Sequence, residues 1–198
     1  MSTQNTFSRS PELMSADDTA LLVVDVQSKL VGLIAEHEKL VWNIRRLLDG
    51  AKILEVPAFS TVQYPQGLGG MVPELAERLS APLNKMTFSC GGSVEFCEHV
   101  RTLNRPRILV AGIESHVCVQ QTVLDLLSEG YRVYVAVDAV GSRGTLDRDI
   151  ALRRMESSGA TLTTTEAALF EWCQASGTPR FKQISQLIRE LPPSAGLA

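Results

Sequence analysis

Residues Ala20 to Val26 read ALLVVDV, one acidic residue in an otherwise unbroken apolar run. A strand with one wet face alternates apolar and polar side chains, because neighbours point to opposite faces of the sheet. A run without alternation needs apolar cover on both faces, which is the condition of a parallel strand between two helical layers. Pro57 to Gln63, Leu83 to Thr87, Arg107 to Ala111, Val133 to Val137 and Thr161 to Thr164 are the other strand-like segments. Helical spacing fills the intervals. It starts with Leu40, Ile44, Leu47, Leu48 and Ala51, and continues with Ser93 to Asn104, capped by Ser93. Val119, Val123, Leu126 and Leu127 follow, stopped at Gly130, and then Thr145 to Ser158, capped by Thr145 and ended at Gly159. Glu166 to Gln174 and Pro179 to Glu190 close the series. Strand–helix alternation of this kind predicts an α/β fold, a parallel sheet with helices on both faces.

The chain has 198 residues, enough for one domain with a sizeable core. Residues 1–18 mix charges with Ser and Thr and lack a continuous apolar stretch, which predicts a flexible tail and excludes a secretory signal. The domain is expected over residues 19–191, and 192–198, with a Pro pair and small residues, reads as a second tail. A formal charge of −3 gives no electrostatic case for nucleic acid or an anionic membrane, and no apolar run is long enough to span a bilayer. The four cysteines form no CxxC pair and His is scarce, so a zinc-finger reading fails and free thiols in a cytoplasmic protein are expected.

In parallel α/β sheets, ligands bind beyond the carboxyl ends of the strands, near a topological switch point. Asp25 stands at the carboxyl end of the first strand, Lys85 in or just after the third, and Cys118 after the fourth. All three should converge on one rim. Cys118 opens a helix pattern, where backbone N–H groups and the helix dipole favour thiolate, the nucleophilic form. Asp25 is placed to take the thiol proton, Lys85 to balance charge, and Ser115 to cap the helix. Backbone N–H groups around Glu114 and Cys118 are candidates for an oxyanion hole. Taken singly, such an Asp is most often a turn residue, such a Lys a surface charge and such a Cys a small buried hydrophobe. The shared rim is what joins them. Cys97 and Cys173 read as packing residues, and Cys90, beside Gly91 and Gly92, as a loop residue bordering the site. For Arg143, an anionic substrate and a structural ion pair with an acidic neighbour both stay open.

VVDVQ at Val23 to Gln27, KMTFS at Lys85 to Ser89 and GIESHVCVQQT at Gly112 to Thr122 resemble the isochorismatase-like cysteine hydrolase superfamily. QYPQGLG at Gln63 to Gly69, DAVGSR at Asp138 to Arg143 and FKQIS at Phe181 to Ser185 resemble its isochorismatase-domain-containing and YcaC-like subgroup. The resemblance implies a three-layer α/β/α sandwich with a six-stranded parallel sheet. It implies a catalytic triad of Asp25 as general base, Lys85 as electrostatic partner and Cys118 as nucleophile. It also implies a cis peptide at Ile113–Glu114, which would aim the N–H groups of Glu114 and Cys118 into the oxyanion hole. Gln27, Tyr64 and His116 are the candidate substrate-binding residues, and the Tyr64 to Gly70 loop is where specificity is expected. Members are usually homo-oligomers.

The departures narrow the chemistry. Nicotinamidases of this superfamily bind a metal through an Asp and two His after the second strand, where this chain has Thr61-Val62-Gln63-Tyr64. No metal and no cofactor are therefore expected. Isochorismatases proper split an enol ether and lack the cysteine, so Cys118 argues against that activity. The expected function is hydrolysis of a C–N bond in a small amide, ureide or carbamoyl compound through a thioester on Cys118. The competing readings are a non-catalytic binding or scaffold protein that retains the fold, and a thiol redox sensor using Cys90 as the resolving thiol.

Overall fold

A computed structural model describes residues 8–193. The chain runs β1 (Thr19–Val24), α1 (Ser28–Val31), α2 (His37–Leu54), β2 (Ala58–Gln63), α3 (Pro65–Leu68), α4 (Pro73–Ala76) and β3 (Leu83–Lys85). It continues α5 (Val94–Leu103), β4 (Arg107–Ile113), α6 (Gln120–Ser128), β5 (Arg132–Gly141), α7 (Thr145–Ser157), β6 (Thr161–Thr163), α8 (Thr165–Cys173) and α9 (Pro179–Ile188). The strands form one six-stranded sheet in the order β3-β2-β1-β4-β5-β6, and every pairing is parallel. The chain first builds outward from β1 to β3, then returns to β4 beside β1 and builds outward the other way. The switch point thus lies between β1 and β4.

The unbroken apolar run of β1 is buried at every position, and its period of two sorts the side chains between two cores. Ala20, Leu22 and Val24 pack with Phe96, Val123 and Met155 of α5, α6 and α7. Leu21 and Val23 pack with Ile44, Leu47, Leu169 and Ile184 of α2, α8 and α9. This is the expected three-layer sandwich.

Several boundaries differ from the sequence reading. Asp25 has φ 51°, so β1 stops at Val24 and the carboxylate stands just beyond it. β3 stops at Lys85. β5 runs on to Gly141, because a register shift opposite Val110 to Gly112 of β4 lets pairing resume at Val140. Gly144, not Thr145, is the extended N-cap residue of α7, and no side chain caps that helix. Ser93 does cap α5, accepting from the Phe96 N–H.

The flexible tail expected over 1–18 holds no such freedom from residue 9 onward. Arg9 donates to the Met14 and Glu171 carbonyls, Tyr134 Oη donates to the Glu12 carbonyl at 2.7 Å, and the Met14 side chain is fully buried. This segment packs as part of the domain, while residues 1–7 lie outside the described residues. At the other end, 192–193 are exposed and irregular, and 194–198 lie outside the described residues.

Gly112 sets how closely β4 approaches β1 at the switch point. It has φ 124°, and a β-carbon there would lie 2.1 Å from the Val24 carbonyl oxygen. Neither the angle nor the backbone contact can relax cheaply. Gly112→Ala should therefore cost about 3 kcal/mol, from overpacking plus an unfavourable alanine backbone. Thermal denaturation should show a midpoint lower by about 6–12 °C, and an unchanged midpoint would refute the close-approach role.

Candidate active site

Asp25, Lys85 and Cys118 come together in one buried cluster at the carboxyl rim. Their relative exposures are 0%, 4% and 7%. Asp25 leaves the end of β1 and Cys118 follows β4, so the two flank the switch point. Lys85 ends β3, two strands from β1, and its side chain reaches across β2 to set Nζ 2.6 Å from Asp25 Oδ2.

The ammonium has three protons, and three other oxygens receive them. Lys85 Nζ donates to Gln63 Oε1 at 2.7 Å, to the Phe88 carbonyl at 2.9 Å and to the Thr87 carbonyl at 3.1 Å. Asp25 Oδ2, at 2.6 Å, is the nearest of the four oxygens around the ammonium, so the two form a tight buried ion pair. The same carboxylate faces the Cys118 thiol. Asp25 Oδ1 accepts from Thr61 Oγ1 at 2.9 Å.

Gln63 is the hub behind the lysine. Its backbone N–H donates to Gln27 Oε1, its carbonyl accepts from Gln27 Nε2, and its own Nε2 donates to the Met86 carbonyl. Thr61 and Gln63, both buried, are the residues bonded to the cluster that sequence reasoning did not place there. Sequence reasoning read that stretch as a strand, for absent metal ligands and for the motif that starts at Gln63. The available signal was the presence of polar side chains in a strand otherwise apolar and buried on both faces.

Cys118 lies in one widened turn, Ser115–Val119, whose carbonyl acceptors stand five residues back, as in Val119 N–H to Glu114 O at 3.2 Å. Such π-type turns concentrate at functional sites. Burial, then the negative charge of Asp25 and a hydrogen bond to it, push the Cys118 thiol up to about 12, against the opposing pull of Lys85. The expectation of a thiolate at rest is therefore corrected. Desolvation and the facing carboxylate outweigh the lysine, and the resting thiol keeps its proton.

Glu114, rather than Ser115, occupies the cap position of that turn, and the Ile113–Glu114 peptide is cis. Ser115 is fully buried, and its hydroxyl has no hydrogen-bond partner. The Glu114 carboxylate accepts from the Arg143 backbone N–H at 3.0 Å and from Arg143 Nε at 3.1 Å, which makes Arg143 its ion-pair partner. His116 Nδ1 pairs with Ser142 Oγ at 3.0 Å. The β5–α7 loop thus grips both residues that bracket Ser115.

The other candidates are distributed differently. Gln27 is fully buried, with both ends of its amide committed to the backbone of Gln63 and Gly69, so it braces the rim. Tyr64 is half-exposed with its ring over Gly67. Cys90 is fully buried and joins the cluster through Thr61 Oγ1, 3.7 Å from its sulfur. Lys85 borders a cleft of about 390 Å³ that Pro65, Asn84, Met86, Thr87 and Ser93 also line. Among the described residues, no three His, Cys, Asp or Glu side chains converge as a metal ion would require.

A parallel sandwich with an acid, a lysine and a cysteine at its switch point defines a class of α/β proteins with an enclosed thiol site. Residues 19–167 match the isochorismatase domain, and the chain belongs to that family. Isochorismatase domain-containing protein 2 of Homo sapiens is 41% identical over 179 residues, covering 90% of this chain and 87% of that protein. Among solved structures, the MAR1 ribonuclease of Caenorhabditis elegans has a TM-score of 0.86 at 38% identity, covering 94% of this chain and 97% of that one. YcaC of Pseudomonas aeruginosa, with hexane-2,5-diol and covalent acrylamide, has a TM-score of 0.82 at 28% identity, covering 91% and 93%. YcaC of Escherichia coli, described as an octameric hydrolase of unknown specificity, has a TM-score of 0.84 at 26% identity, covering 91% and 92%.

The raised thiol has a consequence for stability. An unfolded cysteine titrates near 9.0, whereas native Cys118 keeps its proton to about 12. Between those values the native state binds more protons than the unfolded one, so stability falls as pH rises. Urea denaturation at successive pH values above neutrality should show this decline, and Cys118→Ser should flatten part of it. An equally steep decline in the variant would refute the assignment.

Proposed function

We propose that this chain is a cysteine hydrolase that cleaves a C–N bond of a small amide, ureide or carbamoyl compound through a thioester on Cys118. The observation that carries the reading is the convergence of the buried Asp25–Lys85 pair with the Cys118 thiol at the switch point. The family fold supports hydrolysis. Acrylamide is an electrophile that thiolates attack, and its covalent form in the Pseudomonas aeruginosa relative supports a nucleophilic site in this fold. A formal charge of −3 favours a small molecule over a nucleic acid as substrate.

Asp25 Oδ2 takes the Cys118 proton as Sγ attacks the substrate carbonyl carbon. The lysine, with its donors satisfied elsewhere, keeps its charge beside the carboxylate and holds no proton in transit. The N–H groups of Glu114 and Cys118 receive the charge that develops on the carbonyl oxygen. As the tetrahedral adduct collapses, the C–N bond breaks and Asp25 returns the proton to the departing nitrogen. Asp25 then removes a proton from water, the hydroxide attacks the thioester, and the acid product leaves as Cys118 regains its proton.

The assembly we infer is a homo-oligomer, in line with the octameric description of the Escherichia coli relative. Met86, Phe88 and Val94, 69%, 56% and 74% exposed, form an apolar rim near Lys85 that suits burial against another copy. All four cysteines are free, which suits a reducing compartment such as the cytoplasm. No helix among the described residues is long and apolar enough to cross a membrane.

A panel of small amides, ureides and carbamoyl compounds, run in parallel on wild type and variants, tests the reading. Cys118→Ala should abolish turnover, and a slow substrate should leave an acyl mass on the Cys118 peptide. Asp25→Asn should lower turnover by about 10²–10⁴-fold. Turnover that survives Cys118→Ala would refute the proposal. Light scattering should give a multiple of the chain mass, and Phe88→Glu should reduce it. A wild-type mass of one chain would overturn the oligomer.

A further inference from the structure

We propose that Thr61 and Cys90 form a hydrogen-bonded arm that holds the Asp25 carboxylate with Oδ2 turned toward Cys118. The proposal rests on the cysteine-hydrolase reading above and makes both residues positioning residues for its general base.

Thr61 grips Asp25 twice. It lies on β2 opposite Val24 of β1, and its carbonyl accepts the Asp25 backbone N–H at 3.2 Å. Its hydroxyl donates to Oδ1 at 2.9 Å. A hydroxyl has one proton to give. With that proton on the carboxylate, the oxygen presents lone pairs to its other neighbour, the Cys90 thiol, which donates across 3.7 Å. Cys90 is fully buried, and burial and the charge of Asp25 push its thiol up to about 11, so it remains a donor at neutral pH.

The arm continues toward the nucleophile. The Cys90 backbone N–H donates to Thr122 Oγ1 at 3.0 Å. Thr122 lies on the first turn of α6, the helix that directly follows the Cys118 turn. A chain of hydrogen bonds results, from Thr122 through Cys90 and Thr61 to Asp25. Each contact in it fixes the orientation of the next, so the carboxylate is tied by hydrogen bonds to the helix that follows the nucleophile. Rotation of the carboxylate would break the bond to Oδ1 and carry Oδ2 away from the thiol. The titratable groups facing Asp25 are Lys85 from β3, Cys118 from the widened turn and Cys90 from the Cys90–Gly92 turn.

A donor on the carboxylate stabilises its charged form, so removal of that donor moves protonation of the reacting pair to higher pH. The test follows acrylamide alkylation of Cys118 in the full chain by peptide mass, across acid to mildly alkaline pH. Wild type should show a rate plateau near neutrality that Asp25→Asn abolishes. Absence of that dependence refutes the cysteine-hydrolase reading itself, whatever Thr61 does. Given the plateau, Thr61→Val should move the acid limb up by about one pH unit and lower the plateau about tenfold. Thr61→Ser should restore both. Cys90→Ala should move the limb in the same direction by less, and Cys90→Ser should restore it. A residue that serves packing alone would lower the melting midpoint and leave the limb in place. Acid limbs that coincide with wild type overturn the arm. Should Thr61→Val fail to fold, the Cys90→Ala limb decides alone.

Discussion

The rim of this protein is organised around one buried ion pair, Asp25 with Lys85. Two charges with almost no solvent contact are costly, and the cost is offset only when every remaining lone pair and proton finds a partner. Here the partners come from two segments: Thr61 and Gln63 on β2, and the Thr87 and Phe88 carbonyls beyond β3. The lysine crosses β2 to reach the aspartate, so β2 must carry polar side chains on the face it crosses. Gln63 meets that need with every one of its polar groups bonded, and Gln27 holds Gln63 in turn. Removal of either charge would leave the other buried and unpaired, a loss of about 3–5 kcal/mol in comparable sites.

The pair also decides the resting state of the nucleophile. A cysteine beside a cation and a helix terminus is ordinarily read as a preformed thiolate. In this site the cation is already matched by Asp25, so the thiol faces the carboxylate and an apolar surround, and holds its proton. In the proposed mechanism, reactivity depends on transfer of that proton to Asp25 during attack. Geometry matters more than thiol acidity under those conditions, which explains the effort the fold spends on the turn around Cys118. Ser142 and Arg143 of the β5–α7 loop hold His116 and Glu114, and the widened Ser115–Val119 turn joins β4 to α6.

Much of this was legible from residue order. Unbroken apolar strands alternating with amphipathic helices specify a two-sided parallel sheet, and the carboxyl-rim rule then brings Asp25, Lys85 and Cys118 together. Errors fell at boundaries where backbone geometry overrides composition. The left-handed Asp25 ends β1 inside an apolar run, and a register shift against β4 extends β5 past its obvious end. Residues 9–18 looked like a solvated tail because Arg9 and Glu12 are polar, yet Arg9 satisfies backbone carbonyls and Met14 enters the core.

Sequence by itself determined the architecture and which side chains meet at the carboxyl rim, because strand periodicity and the positions of strand ends are properties of residue order. Only the tertiary structure decided their charge state and their supports. Whether Lys85 is balanced by Asp25 or available to Cys118 depends on angstrom-scale distances among side chains on β1, β3 and the β4–α6 turn. The roles of Thr61, Gln63 and Cys90 depend on the same convergence: a threonine, a glutamine and a cysteine have no intrinsic catalytic signature. They acquire the roles proposed for them from the one carboxylate and one ammonium that the folded sheet sets beside them.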